Sequence, residues 1–309
     1  MLRRSSLFVA VSLLAASAGL AACGSSSAGR AARAAGAAAQ PTTTTVDPTR
    51  ARPYDVVVPK SYDGTKAVPL IVLLHGYGAS GMIQNIYFGL EPLAQSRGFL
   101  YVHPDGTVNG LGKRFWNATD ACCAGRSKVD DSAYVMAIID DVSAKYKVDP
   151  KRVYLIGHSN GGFMSYRMAC DHADRIAAIV SMAGATFADP TRCRPSQPVS
   201  VLQVHGTADK TIGYTGGAIL GHKYPGAADS TGAWANYDHC DHTATVGAPR
   251  ALDVIANVDG PETTVSTYGH CADGTSVALW SVAGGPHIPI LAPGAMAGFV
   301  DFLLAHPKH

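Results

Sequence analysis

Arg152-Val153-Tyr154-Leu155-Ile156-Gly157-His158-Ser159-Asn160-Gly161-Gly162 carries an apolar, β-branched run straight into a GxSxG pentapeptide, and a helical pattern from Gly161 to His172 follows at once. The local reading is strand, tight turn, helix. The same alternation extends outward in both directions. Strands are expected at Tyr54–Val58, Pro69–Leu74, Phe99–Val102, Ile176–Val180, Val199–Val204 and Val277–Val282, with helices at Met82–Gln95, Ser132–Tyr146 and Ala295–Leu304. Near-continuous apolar strands separated by helices imply an α/β architecture, a mostly parallel central sheet with helices on both faces. In such a sheet the ligand site lies beyond the carboxyl ends of the strands, so reactive residues are sought directly after them.

A GxSxG alone is weak, since chance supplies one in roughly every four chains of this composition. Its setting between a buried strand and a helix gives it meaning: the Ser sits on a strained turn that makes its hydroxyl protrude, and the flanking glycines let strand and helix approach. Ser159 is therefore the expected nucleophile. The backbone N–H of Asn160 opens the helix and points at a developing oxyanion, and Tyr77, in Leu74-His75-Gly76-Tyr77-Gly78 after the other central strand, is expected to give the second amide. His75 is read as a structural loop histidine.

An activated Ser needs a His within hydrogen-bond reach and an acid to fix the tautomer of that His. Of the twelve histidines, His287 in Gly284-Gly285-Pro286-His287 follows the last strand directly. Asp209, in His205-Gly206-Thr207-Ala208-Asp209, is the first carboxylate after the strand Val199–Val204. Order and placement give the triad Ser159, Asp209, His287. A Gly/Ala-rich stretch between Lys210 and His242, containing Tyr214, Tyr224 and Trp234, is expected to form the pocket rim.

Composition narrows the class further. Only 16% of the 309 residues are charged, against about 25% in a typical soluble domain, and the formal charge is +2. That excludes a disordered chain and leaves no basic footprint for nucleic acid. Residues 1–22 place Arg3 and Arg4 ahead of a short apolar run and read as a secretory signal of lipoprotein type, since Leu20-Ala21-Ala22-Cys23 resembles a lipobox. Cys23 is the expected lipidation site and the only membrane link. Residues 23–50 read as a flexible Ala/Ser/Thr/Pro tether, and 51–309 as the catalytic domain. With Cys23 set aside, Cys122, Cys123, Cys170, Cys193, Cys240 and Cys271 form an even set for disulfides in an exported protein. Fifteen connectivities are open, with Cys122 and Cys123 expected to take different partners. No CxxC or HExxH is present, so no metal site is expected.

Taken together in order, Leu74-His75-Gly76-Tyr77-Gly78, Phe115-Trp116-Asn117 with Cys122-Cys123, Val129-Asp130-Asp131, the Ser159 pentapeptide, His205 to Asp209 and Gly284 to His287 resemble the secreted poly(3-hydroxybutyrate) depolymerase and feruloyl esterase family of α/β-hydrolases. The resemblance runs from about Tyr54 to Pro289. It implies the α/β-hydrolase fold and hydrolysis of carboxylic esters by the Ser159, His287, Asp209 triad without metal or organic cofactor. It also implies that Trp116 and Asn117 lie near the active-site mouth as substrate-binding residues, with Tyr214 on the rim. Cys240 is implied to pair with Cys271, and Cys122 or Cys123 with Cys170 or Cys193. Asp130 and Asp131 match an Asp pair whose plain reading is a helix cap. The family often has a Gly before the His and a Trp shortly after it; here Pro286 precedes and Ile288-Pro289 follow. The implied enzyme is secreted or anchored on the outer face of the membrane. A serine peptidase of the same fold and a non-catalytic surface lipoprotein are the rival classes.

Overall fold

Among the described residues nine strands form one sheet, and a separate antiparallel ribbon pairs β4 (Thr107–Val108) with β5 (Arg114–Phe115). The middle of the sheet is parallel, in the order β3 (Leu100–Val102), β2 (Val68–Leu74), β6 (Val148–His158), β7 (Ala178–Met182), β8 (Ser200–Gly206) and β13 (Val277–Val282). Antiparallel strands close both edges, β1 (Val56–Val57) on β3, and β12 (Thr263–Tyr268) with β11 (Thr245–Val246) beyond β13. The computed structural model describes residues 52–122 and 127–309, which belong to one compact unit. The expected signal, Cys23, the tether and Cys123 lie outside the described residues.

The apolar runs are continuous because both faces of the sheet are buried. Along β2, Leu70, Val72 and Leu74 enter one core while Ile71 and Leu73 enter the other; along β6, Leu155 enters the first and Tyr154 and Ile156 the second. The first core is covered by α3 (Asp131–Lys145), α4 (Asn160–Asp171) and α5 (Ala227–Tyr237), through Tyr134, Ile138, Phe163 and Trp234. The second is covered by α1 (Gly81–Phe88), α2 (Leu90–Arg97) and α6 (Ala295–Ala305), through Phe88, Leu90, Phe299 and Leu303. Each such side chain contributes about 1.5–3 kcal/mol on burial.

The structure amends the expected elements in four places. The helix expected over Met82–Gln95 is two helices, because Gly89 adopts a left-handed φ of 59° that caps α1 and redirects α2. The stretch between Lys210 and His242 holds a hairpin, β9 (Gly216–Ile219) with β10 (His222–Pro225), followed by α5. Trp234 is fully buried, and Tyr224, also buried, accepts a hydrogen bond from the Gly213 amide, so neither forms a rim. Cys170 is bonded to Cys193 and Cys240 to Cys271. The first pair corrects the expectation that either would bridge to Cys122 or Cys123: the end of α4 and the segment after β7 bring Cys170 and Cys193 to a Cα separation of 5.5 Å. Cys122 is also disulfide-bonded. No described helix is long and apolar enough to cross a membrane.

Candidate active site

Ser159 sits between β6 and α4 with φ 54° and ψ −119°, a conformation costly for a residue with a Cβ. The turn is held from both sides. A Cβ on Gly157 would lie 2.1 Å from the Gly161 carbonyl oxygen, and one on Gly161 would lie 2.0 Å from the Leu74 carbonyl oxygen. Only glycine at both positions lets β6, α4 and β2 come this close. The Ser159 amide donates to the Met182 carbonyl on β7 at 2.8 Å, which fixes the turn against the sheet.

The three residues selected at strand exits meet. The Ser159 hydroxyl lies 2.9 Å from His287 Nε2, and His287 Nδ1 lies 2.7 Å from Asp209 Oδ2. A carboxylate only accepts, so Nδ1 carries the proton and Nε2 is free to accept from Ser159. Asp209 Oδ1 accepts from the Thr211 and Ile212 amides, both at 2.8 Å. His205 Nε2 donates to the Ile212 carbonyl at 2.8 Å and stands 3.5 Å from Asp209 Oδ2. Burial alone would raise the Asp209 pKa; the hydrogen bonds from His205, His287 and the Ile212 amide outweigh it and hold the carboxyl well below the usual range. Asp209 is therefore an ionised acceptor facing the imidazole.

The loop after β2 and the start of α4 are organised by buried groups. The Tyr77 amide has no acceptor among the described residues, and the Asn160 amide is the first of α4, where no intrahelical acceptor exists. The Gly76 amide donates to Gln84 Oε1 at 3.2 Å. His75 is fully buried, with Nδ1 donating to the Gly76 carbonyl and Nε2 accepting from the Gly106 amide, each at 2.8 Å. Its pKa is lowered, first by burial, so a neutral ring spans the loop.

Trp116 and Asn117 are not at the mouth. Trp116 is fully buried; its indole N–H donates to the His75 carbonyl at 3.0 Å. Its backbone is clamped by the Asn160 side chain, which accepts from the Trp116 amide at 2.6 Å and donates to the Trp116 carbonyl at 2.9 Å. Asn117 turns inward, donating its side-chain amide to the Val129 carbonyl at 2.7 Å and its backbone amide to Asp131. Asp130 caps α3 by accepting from the Ala133 amide, whereas buried Asp131 takes the Arg52 guanidinium at 2.6 Å. Tyr214 also misses the cleft: its hydroxyl bonds Ser281 at 2.6 Å and its ring stands edge-on to His205.

The cleft over Ser159 has a volume of about 570 Å³, and its walls are Tyr77, Ile83, Tyr87, His158, Thr211 and Ile288, with Gln84 behind Gly76. Sequence reasoning missed Ile83, Tyr87 and Ile288. The available signal was the outward face of α1, where Met82, Ile83 and Ile86 are all more than half exposed at positions a surface helix fills with polar residues. Among the described residues no cluster of His, Cys, Asp or Glu could hold a metal ion.

Residues 69–215 match the model of the alpha/beta hydrolase fold family. The chain is 28% identical over 240 residues to feruloyl esterase B of Piromyces equi, covering 75% of this chain but only 42% of that protein. It is 27% identical over 262 residues to feruloyl esterase D of Neurospora crassa, covering 80% of this chain and 78% of the relative. Among solved structures, acetyl xylan esterase from Aspergillus awamori superposes with a TM-score of 0.57 at 14% identity, over 81% of this chain and 93% of the other. That likeness shows the fold.

Proposed function

We propose that this chain, an α/β-hydrolase, is a serine carboxylic-ester hydrolase that works through an acyl-enzyme on Ser159. The observation that carries the reading is the unbroken line Ser159 Oγ, His287 Nε2, His287 Nδ1, Asp209 Oδ2 at 2.9 and 2.7 Å, beside two amides without acceptors. His287 takes the Ser159 proton as Oγ attacks the ester carbonyl, and Asp209 stabilises the imidazolium without being protonated itself. The Tyr77 and Asn160 amides receive the oxyanion, and loss of one such donor typically costs 10²–10³ in kcat. His287 then protonates the departing alcohol. Water, activated by the same imidazole, releases the acid.

The cleft directs the substrate class. Among the described residues no Asp, Glu, Lys or Arg lines it, and Tyr77, Ile83, Tyr87 and Ile288 offer apolar walls, which suits an uncharged aliphatic or aromatic ester of the kinds the resemblance implies, feruloyl or 3-hydroxybutyrate esters. The chain is exported and carries lipid at Cys23, a reading supported by the lipobox-like end of its leader and by its disulfides, Cys170–Cys193 and Cys240–Cys271 among them, which persist in oxidising compartments. The test is hydrolysis of p-nitrophenyl acetate and of a feruloyl, acetyl and 3-hydroxybutyrate-oligomer panel by wild type and Ser159→Ala. Wild-type turnover with none in the folded variant is expected; retained turnover in Ser159→Ala overturns the assignment, and peptide hydrolysis without ester hydrolysis favours the peptidase.

A further inference from the structure

His158 is buried, yet one edge of its ring forms part of the cleft wall next to Ser159. Its Nε2 lies 2.9 Å from the backbone carbonyl oxygen of His287, the residue that must take the Ser159 proton. A carbonyl only accepts, so Nε2 bears the hydrogen. The opposite edge meets the oxyanion loop: Gly76 approaches so closely that a Cβ there would lie 3.3 Å from His158 Nδ1. Tyr87 and Phe88 stand edge-on to the ring at 5.6 and 6.4 Å between centroids, and the His287 ring lies at 5.1 Å. Tyr87 in turn donates its hydroxyl to the Pro289 carbonyl at 2.7 Å, so the loop carrying the base is tied down on both sides of Ile288.

We infer that His158 is a positioning residue: its Nε2–H holds the His287 backbone at the distance that lets Nε2 of His287 meet Ser159, while its other edge seats the oxyanion loop. The inference rests on the esterase reading of the same site. Other ties hold the loop at Gly284 and Gly285, to Thr207 and Ala208, and at Pro289 and Ile290, to Tyr87 and Ala256. The His158 bond is the one at the His287 backbone itself, and an imidazole displaced by about 1 Å costs on the order of 10² in rate. Burial, and then the neighbouring His287, lowers the His158 pKa to about 4. The ring therefore stays neutral, and a second cation does not form beside the imidazolium that catalysis creates. His287, Asp209 and His205 are the titratable groups that act on it.

The test compares full-length wild type, His158→Leu and His158→Gln, whose amide can restore a donor at the Nε2 position. His158→Leu is expected to lower kcat for p-nitrophenyl acetate 10- to 100-fold with KM within threefold, and to slow labelling of Ser159 by a fluorophosphonate in parallel; His158→Gln is expected to recover to within about fivefold of wild type. A leucine variant within threefold of wild type, or a glutamine variant as impaired as the leucine one, overturns the inference. Should His158→Leu not fold, nitrogen NMR of ¹⁵N-histidine-labelled wild type decides: a neutral Nε2–H tautomer at pH 6.5 is expected, and an Nδ1–H or doubly protonated ring overturns it. The labelling and NMR arms need no substrate, so failure to hydrolyse any ester counts against the esterase reading and leaves these results to judge His158.

Discussion

The indole N–H of Trp116 donates to the backbone carbonyl of His75 across 3.0 Å, and both residues are fully buried. Through this bond a core tryptophan sets the entry of the loop that carries Tyr77 into the cleft wall. Trp116→Phe keeps an aromatic ring but removes the pyrrole half of the indole with its donor, leaving a small void and an unsatisfied His75 carbonyl, the latter at a cost of about 1–3 kcal/mol. The expected result is a lower melting temperature and a kcat for p-nitrophenyl acetate reduced about tenfold, with KM little changed. Steady-state kinetics and thermal unfolding on one preparation check both.

Asp209 is held ionised by its bonds from His205, His287 and the Ile212 amide, against the effect of burial. Asp209→Asn keeps the shape, but its side-chain NH₂ can donate to His287 Nδ1 and so turn the imidazole proton toward Ser159, the wrong tautomer for a base. A loss of about 10⁴ in kcat is expected at neutral pH. In the proposed mechanism Asp209, His287 and Ser159 act as one unit, so Asp209→Asn combined with Ser159→Ala is expected to be no slower than Ser159→Ala alone. Rates that multiply would count against a shared role.

How far these relationships could be read beforehand depends on which force placed each residue. β13 is found over Val277–Val282, as its apolar run indicates, and Asp209 and His287 stand at strand exits that binary patterning alone locates. Burial on both faces writes such strands as unbroken apolar runs. α5 and the hairpin before it are Gly/Ala-rich and short, and β12 reads Thr-Thr-Val-Ser-Thr-Tyr at a half-buried edge, so no period stands out. Trp116 misled in another way. Its place at the mouth was implied by the family resemblance alone, and only the tertiary structure shows that the Asn160 side chain clamps its backbone and that its indole N–H is held by the His75 carbonyl.

Asp238, at the end of α5, gives a pH-dependent stability unrelated to catalysis. It is fully buried; Oδ1 accepts from the Val199 amide at 3.1 Å, and Oδ2 has no partner among the described residues. Burial pushes its pKa up to about 7. The folded state therefore keeps a proton that the unfolded chain loses near pH 4, and the stabilising contribution is complete below that value and lost as pH rises through about 7. Raising a carboxyl from its usual value near 4 to about 7 corresponds to about 4 kcal/mol. Asp238→Asn imitates the protonated form. It is expected to match wild type in melting temperature near pH 4.5 and to exceed it by several degrees at pH 8.5, in differential scanning calorimetry across the range; a gap that closes as pH rises would refute the sign.

The cleft walls allow a final prediction about specificity. Ile83 from α1 and Ile288 from the loop after the base are 58% and 66% exposed, so each has apolar surface left for a substrate to cover. Covering such surface contributes about 25 cal/mol per Å², which for half an isoleucine side chain is about 1 kcal/mol, or about fivefold. Ile83→Ala and Ile288→Ala are each expected to lower kcat/KM for a butyrate or feruloyl ester about fivefold while changing that for acetate less than twofold, since an acetyl group leaves the outer walls untouched. The two residues reach the cleft from separate elements, so their effects are expected to add in free energy, giving roughly 25-fold for the double variant. Kinetics over an acyl-length series decides: equal losses at every length would place Ile83 and Ile288 in loop stability, and losses that grow with acyl size would place them in the binding of the acyl group.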